Sequence, residues 1–313
     1  MRGSGGHRIG WDDVAPSVRA VVEDRLGAPV VEAHNQAGGF SPGLAARCLL
    51  GDGRRAFVKA VSPDQNAHAC RIHRREAEVA SQLPAGLPAP RLLHVVDDGH
   101  WVVLVFEEVE GHQPDEPWSH EQLDVVLPAL ERFAAQVTPT PTPGLPTIEQ
   151  RYGAAFHGWR DVAGGAVDAT SYGPEVLDAL DRLAEMEARW SAAAEGTTLL
   201  HTDLRADNML LTPSGELVLV DWPWACTGAA FVDLVLFLPS VGLGGGPDPR
   251  TVVERHGLFR EVDRGALLAV LAALAGFFVR QSLDPTPPGL PTVRSFQRAQ
   301  AEVALAWLLP QVR

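Results

Sequence analysis

Two apolar, β-prone runs stand close together, LAARCLL at 44–50 and RAFVKAV at 55–61, with GDG at 51–53 between them; they predict two strands joined by a tight turn. A glycine-rich loop, AGGFSPG at 37–43, enters the first strand. After the second strand, ACRIHRREAEVASQLP at 69–84 carries apolar residues at Ile72, Val79 and Leu83 and predicts a helix. LPAPRLLHVV and HWVVLVFEEVEG come next. The latter predicts a strand over Trp101 to Phe106 that ends in Glu107, Glu108 and Gly111. To this point the pattern is a small sheet with one helix, followed by a hinge near 105–111.

The remainder is mainly helical in pattern. Leu123 to Val137, Pro174 to Trp190, Gly265 to Val279 and Ser295 to Leu309 all predict helices. One short hairpin interrupts them: Met209 to Leu211, the turn TPSGE, then Leu217 to Val220. TPTPTPGLP at 138–146 and DPTPPGLP at 284–291 read as stiff connectors, and GLGGGPDP at 242–249 as a flexible loop.

Composition narrows the function classes. With 46% hydrophobic residues in 313, a sizeable core can be buried. The formal net charge of −13 argues against a nucleic-acid partner, which needs a basic face, and permits a cationic ligand. Cys48, Cys70 and Cys226 lie far apart, with neither metal spacing nor a disulfide framework, which suits a reducing cytoplasm. The start, MRGSGGHRIG, has no apolar core and is not a secretory signal. Gly265 to Val279 is the longest charge-free apolar run. Its 15 residues fall short of the roughly 20 of a membrane span, so no membrane partner is expected.

Candidate chemistry begins with Lys59, the single lysine in a chain of 26 basic residues. An ammonium is a compact point charge on a thin stem, whereas a guanidinium is a wide planar fork. A site that must place one charge between phosphate oxygens and a carboxylate prefers lysine. Glu76 and Glu78 on the following helix are placed so that one can face it. Further on, TTLLHTDLRADNMLLTPSGELVLVDWPWA at 197–225 gives His201, Asp203 and Asn208 the spacing H-x-D-x-x-x-x-N, and Asp221 ends the hairpin. A hydroxyl that attacks phosphorus needs its proton accepted and its oxygen aimed, and Asp203 can do both. Asn208 and Asp221 offer the hard oxygen donors that suit Mg²⁺ alongside phosphates.

HTDLRADN followed by VDW resembles the aminoglycoside phosphotransferase and choline kinase-like family, relatives of the protein kinases, from roughly residue 35 onward. The resemblance implies an α+β, two-lobed, protein-kinase-like fold. Residues 1–110 would form a small antiparallel-sheet lobe with one helix, and 111–313 a larger, mostly helical lobe. It implies ATP (or GTP) and Mg²⁺ in the cleft between them. Lys59 would bind the α and β phosphates and pair with Glu76, with Glu78 the runner-up. Gly38, Gly39 and Ser41 would approach the phosphates, although Pro42 stands where the family often has asparagine. Phe106, Glu107 and Val109 would face adenine. Asp203 would be the catalytic base, Asn208 and Asp221 the metal ligands, and Asp233 a brace for the catalytic loop.

The expected acceptor is a small-molecule hydroxyl beside Asp203, with Asp207, Trp159 and Asp161 as candidate lining. Carboxylates there would suit a cationic amino-sugar. An antibiotic-inactivating kinase leads, and a kinase of a metabolite such as choline, homoserine or a sugar follows. A catalytically silent nucleotide-binding module that regulates a partner is the alternative of another class. A metal hydrolase using His201, Asp203 and Asp207 lacks a further histidine cluster.

Overall fold

The computed structural model describes residues 8–36, 42–287 and 289–312. Five antiparallel strands form the main sheet: β1 (Val30–Asn35), β2 (Leu44–Leu50), β3 (Arg55–Val61), β4 (Leu92–Asp97) and β5 (Val102–Glu107), in the order β1-β2-β3-β5-β4. Asp52 and Gly53 turn the chain between β2 and β3, where the Asp52 carboxylate accepts the Arg54 N–H. Strand alternation sorts side chains to two faces. Ala56, Val58 and Ala60 of β3 join Val103 and Val105 of β5 on one face. Phe57 and Val61 of β3 join Val102, Leu104 and Phe106 on the other. Lys59, two residues from each of Phe57 and Val61, belongs to this second face.

Each face has a helix. α1 (Pro16–Leu26) buries Val18, Val22 and Leu26, with Trp11 and Val14 before it, against the first face. The hydrophobic pattern did not disclose this helix. α2 (Pro63–Ala80) lies on the second face and buries Ala69, Cys70, His73 and Glu76. It starts six residues before the expected helix. Ser62 and Gln65 form a capping box, then Asn66 leaves helical geometry (φ −172°) and its Oδ1 accepts the Ala69 N–H, so the continuous turns begin there.

The rest of the chain is helical around a small β framework. α3 (His120–Gln136) buries Leu123, Val126, Leu130 and Phe133 along one stripe. α4 (Ile148–Tyr152) and α5 (Gly158–Ala163) follow. The helix expected over 174–190 is three short ones, α6 (Pro174–Asp178), α7 (Leu180–Glu187) and α8 (Trp190–Ala193). Val176, Leu183 and Trp190 are all buried at seven-residue spacing, which keeps one face in phase through the breaks. α9 (Val232–Gly242), α10 (Pro249–Arg255), α11 (Arg264–Ser282) and α12 (Val293–Leu308) complete the set. The stretch at 242–249 is not a free loop: Leu243–Gly245 is a 3₁₀ turn, Leu243 is buried, and Asp248 caps α10. The two proline-rich connectors carry no helix or strand among their described residues.

α11 is longer than its charge-free run. By length and composition alone it could cross a membrane, yet here it packs against α12, α5, α7 and α8 and most of it is buried. The approach to α5 is close: a Cβ on Gly158 would stand 2.0 Å from the Gly276 carbonyl oxygen. Between the helices, β6 (Thr198–Leu200) pairs with β9 (Cys226–Gly228), and β7 (Met209–Leu211) with β8 (Leu217–Leu219). These two ribbons carry the loop 201–208 and Asp221 to the second face of the main sheet, where Asp221 meets Lys59.

Candidate active site

Sheet and hairpin meet at Lys59. Its Nζ donates to both carboxylate oxygens of Glu76, at 2.7 and 2.9 Å, and to Asp221 Oδ1 at 2.8 Å. Glu78 is exposed, so Glu76 is the partner. The Lys59 side chain is 15% exposed and that of Glu76 only 3%, while Asp221, on the cavity side, is 29% exposed. Burial alone would lower the lysine pKa. Asp221 and Glu76 outweigh it and hold the ammonium charged, above its ordinary range. Burial drives Glu76 upward despite Lys59. Partial burial would raise Asp221, but Lys59 overcomes that cost and pulls it down to about 2.

A cavity of about 140 Å³ opens beside this cluster. Ala45 and Phe57 line it from the sheet, Leu210 and Val220 from the hairpin side, and Phe106, Glu107 and Val109 from the end of β5. All three residues expected to face adenine are therefore in one apolar slot. Gly38, Gly39 and Ser41 lie outside the described residues. Asp207, Asn208 and Asp221 line the end of the cavity near Lys59.

The loop 201–208 is fixed from several sides. Asp233, buried in the first turn of α9, accepts the His201 N–H at 2.8 Å and the Thr202 N–H at 2.7 Å. Burial raises its pKa to about 6, against the pull of these two donors. His201 is fully buried and its pKa falls to about 4 by desolvation, so the ring is neutral. Its Nδ1 accepts the Asp203 N–H, so Nε2 carries the proton and donates to the Val220 carbonyl at 3.0 Å. Val220 N–H in turn donates to Asn208 O. Thr202 has φ 64°, a left-handed conformation that costs about 1–3 kcal/mol in a residue with a side chain. Its hydroxyl donates to Trp224 O and accepts from the Tyr152 hydroxyl, which holds it there. Asp221, φ 69°, is the other such residue among those described.

Asp203 and Asn208 are joined. The Asn208 amide donates to Asp203 O at 2.8 Å and to Oδ2 at 3.0 Å, which turns its own oxygen away from Asp203. Arg205 donates to Asp203 Oδ1 at 3.0 Å and to both Asp207 oxygens. Burial raises Asp203 to about 7, because desolvation exceeds the help from Arg205 and Asp207 is a like charge nearby. Among the described residues no three His, Cys, Asp or Glu side chains gather as a metal cage. The Asn208 oxygen and the Asp221 carboxylate are a two-donor hard-oxygen set, which fits a Mg²⁺ ion that brings phosphate and water ligands of its own.

Two candidate acceptor residues are elsewhere. Trp159 is fully buried, with Nε1 donating to Ala272 O in α11, and is core. Asp161 pairs with Arg280 at 3.3 Å and with His157 at 3.0 Å, and does not line the cavity. Sequence reasoning missed Arg205 and Arg8. Arg205 could have been suspected from acids two positions away on each side. Arg8, which also lines the cavity, gave no signal.

The chain is similar to known proteins. The family described as the phosphotransferase enzyme family (APH) matches residues 39–274. A search of curated proteins gave no match. Similar solved structures include a thermostable mutant of aminoglycoside phosphotransferase APH(4)-Ia in ternary complex with AMP-PNP and hygromycin B. It has 15% identity and a TM-score of 0.61, over 96% of this chain and 98% of that one. The choline kinase LicA from Streptococcus pneumoniae has 12% identity and a TM-score of 0.60, over 94% and 99%. An aminoglycoside-3'-phosphotransferase of type VIII has 25% identity and a TM-score of 0.51, over 83% and 97%. The chain thus has a two-part, protein-kinase-like α+β fold.

The Asp233 brace is testable by itself. Asp233→Asn keeps the shape but leaves one buried N–H facing an amide NH₂. A loss of about 1–3 kcal/mol in urea unfolding is expected. Unchanged stability would mean that the two short bonds do not hold the loop.

Proposed function

The chain belongs to the phosphotransferase enzyme family, and from that premise we propose that it moves the γ-phosphate of ATP to a hydroxyl of a small cationic molecule. One observation carries the reading: Lys59, Asn208 and Asp221 border a single cavity, and Asp203 is hydrogen-bonded to Asn208 at its edge. The slot between Ala45, Phe57, Leu210 and Val220 has the apolar walls that a purine needs. ADP and AMP-PNP complexes of structural relatives support a nucleotide there.

Each role follows from position. Lys59, held by Glu76, presents a fixed positive charge to the phosphates. Bound Mg²⁺ would neutralise the triphosphate, and the Asn208 oxygen and Asp221 carboxylate are the groups to hold it. Asp203 accepts the proton of the attacking hydroxyl. Arg205 fixes its orientation without occupying both oxygens, since Oδ2 faces only the Asn208 amide. Asp203 and Asp207, with the −13 overall charge, favour a cationic acceptor. An aminoglycoside-type antibiotic fits this best, and several structural relatives carry that name. A metabolite kinase is the second reading, supported by the likeness to a choline kinase. A catalytically silent module is disfavoured, because Lys59, Asp203, Asn208 and Asp221 are all present and joined.

Acceptor screening with ATP and Mg²⁺, with the new phosphate located by mass spectrometry, tests the reading. Failure of every acceptor in a protein that still binds ATP would favour the silent module. For a working acceptor, Asp203→Asn is expected to lower kcat by about 10²- to 10⁴-fold with ATP affinity little changed. A proton acceptor must be ionised, and the Asp203 pKa is raised to about 7. The acceptor kcat/KM should therefore climb as pH rises through about 7 and level off above it. The residual rate of Asp203→Asn should lack that climb, and a surviving climb would assign it to another group. Lys59→Arg should keep the fold by circular dichroism yet lose most phosphotransfer, because the guanidinium is too broad for the gap between two carboxylates and the phosphates.

A further inference from the structure

The Lys59 ammonium has three N–H groups, and three hydrogen bonds already run from it to Glu76 and Asp221. That one ammonium is shared between two carboxylates, and its N–H groups are all directed at them. No second lysine exists in the chain to help. Arg47 also borders the cavity, but its Nη2 donates to Gly111 O and its Nη1 stands 3.5 Å from Glu108 Oε1. That places it toward the hinge, away from Asp221.

The N-terminal segment supplies another charge. Arg8 lines the same cavity as Lys59 and Asp221. Its backbone is anchored at the entry to β2: Arg8 pairs with Gly43 as a parallel bridge, and the Ile9 N–H donates to Gly43 O at 3.3 Å. Asn35 Nδ2 donates to Ile9 O at 2.9 Å and ties the same segment to β1. Gly43 itself has φ +100°, and a Cβ there would meet Ala60 O at 2.4 Å. Only glycine lets the chain pass this close to β3 with Arg8 alongside. Arg8 and Asp221 border the same cavity, and burial lowers the Arg8 pKa against the pull of that carboxylate.

We propose that Arg8 is a phosphate-binding residue, carried into the cleft by the N-terminal segment to receive the phosphate oxygens of the nucleotide. A guanidinium is well matched to phosphate: it is always charged, sheds water more readily than an ammonium, and offers paired N–H groups to two oxygens at once. The proposal rests on the nucleotide reading of the cleft. It adds a residue from outside the strand, helix and hairpin that hold the other groups. Lys59 then presents its charge to the phosphates from the sheet, and Arg8 adds a second cation from the N-terminal segment.

Calorimetric titration of the full chain with Mg·ATP and, separately, with adenosine tests this. Arg8→Ala should weaken Mg·ATP binding by about ten- to a hundredfold, the worth of a charge-assisted contact. Adenosine binding should be unchanged, and Arg8→Lys should recover part of the loss. Equal ATP affinity in wild type and Arg8→Ala would overturn the proposal. So would an equal loss for ATP and adenosine, since that would make Arg8 a wall of the pocket. If the wild-type chain binds neither nucleotide nor nucleoside, the nucleotide reading itself fails and the proposal falls with it. Circular dichroism melts of the variants establish that each is folded.

Discussion

A single ammonium group connects the two halves of the cleft. Lys59 belongs to the sheet, Glu76 to the helix on its second face, and Asp221 to the hairpin 162 positions further along. Removing one partner of such a buried cluster strands the others, at a typical cost of about 3–5 kcal/mol. The geometry therefore depends on all three. Alternation along β3 aims Lys59 toward α2, and the buried face of α2 brings Glu76 to meet it. The left-handed turn at Asp221 presents the second carboxylate.

Much of this was legible in the chain. HTDLRADN and VDW are short and local, so their resemblance to a family pattern singled out Asp203, Asn208 and Asp221. β2, the turn and β3 were found to the residue because turn chemistry and strand pattern agree. Phe106, Glu107 and Val109 were named from the family resemblance, placed by the apolar strand that they end, and all three line the cavity. What escaped had weaker local signals. α1 shows only Val18, Val22 and Leu26 as its buried stripe, amid polar residues. Trp159 was a candidate for acceptor lining with Asp161, in a stretch whose pattern does not fix which way the ring faces. Only tertiary packing against α11 buries it. Arg8 has no motif at all, and its place depends on a bridge to Gly43, far along the chain.

Burial sets the electrostatic character of the site. The same desolvation raises Asp203 and Asp233 and neutralises His201, yet the outcomes differ with the partners. Asp233 is met by backbone donors and serves as an anchor. Asp203 is met by a guanidinium and an amide and stays poised near neutrality. Asp221, against a lysine, remains a firm anion. Three aspartates within one chain segment thus receive three electrostatic assignments from their neighbours.

The packing of α11 against α12 has a consequence for synthesis. α11 is apolar nearly all round, and α12, which covers one side of it, emerges last among the helices described. A nascent chain on the ribosome must carry the α12 side of α11 uncovered until residues 293–308 have cleared the exit tunnel. During that interval the segment has the length and greasiness that chaperones and insertion machinery recognise. Its protection comes from the speed with which α5, α7 and α8, already made, can close over the other side.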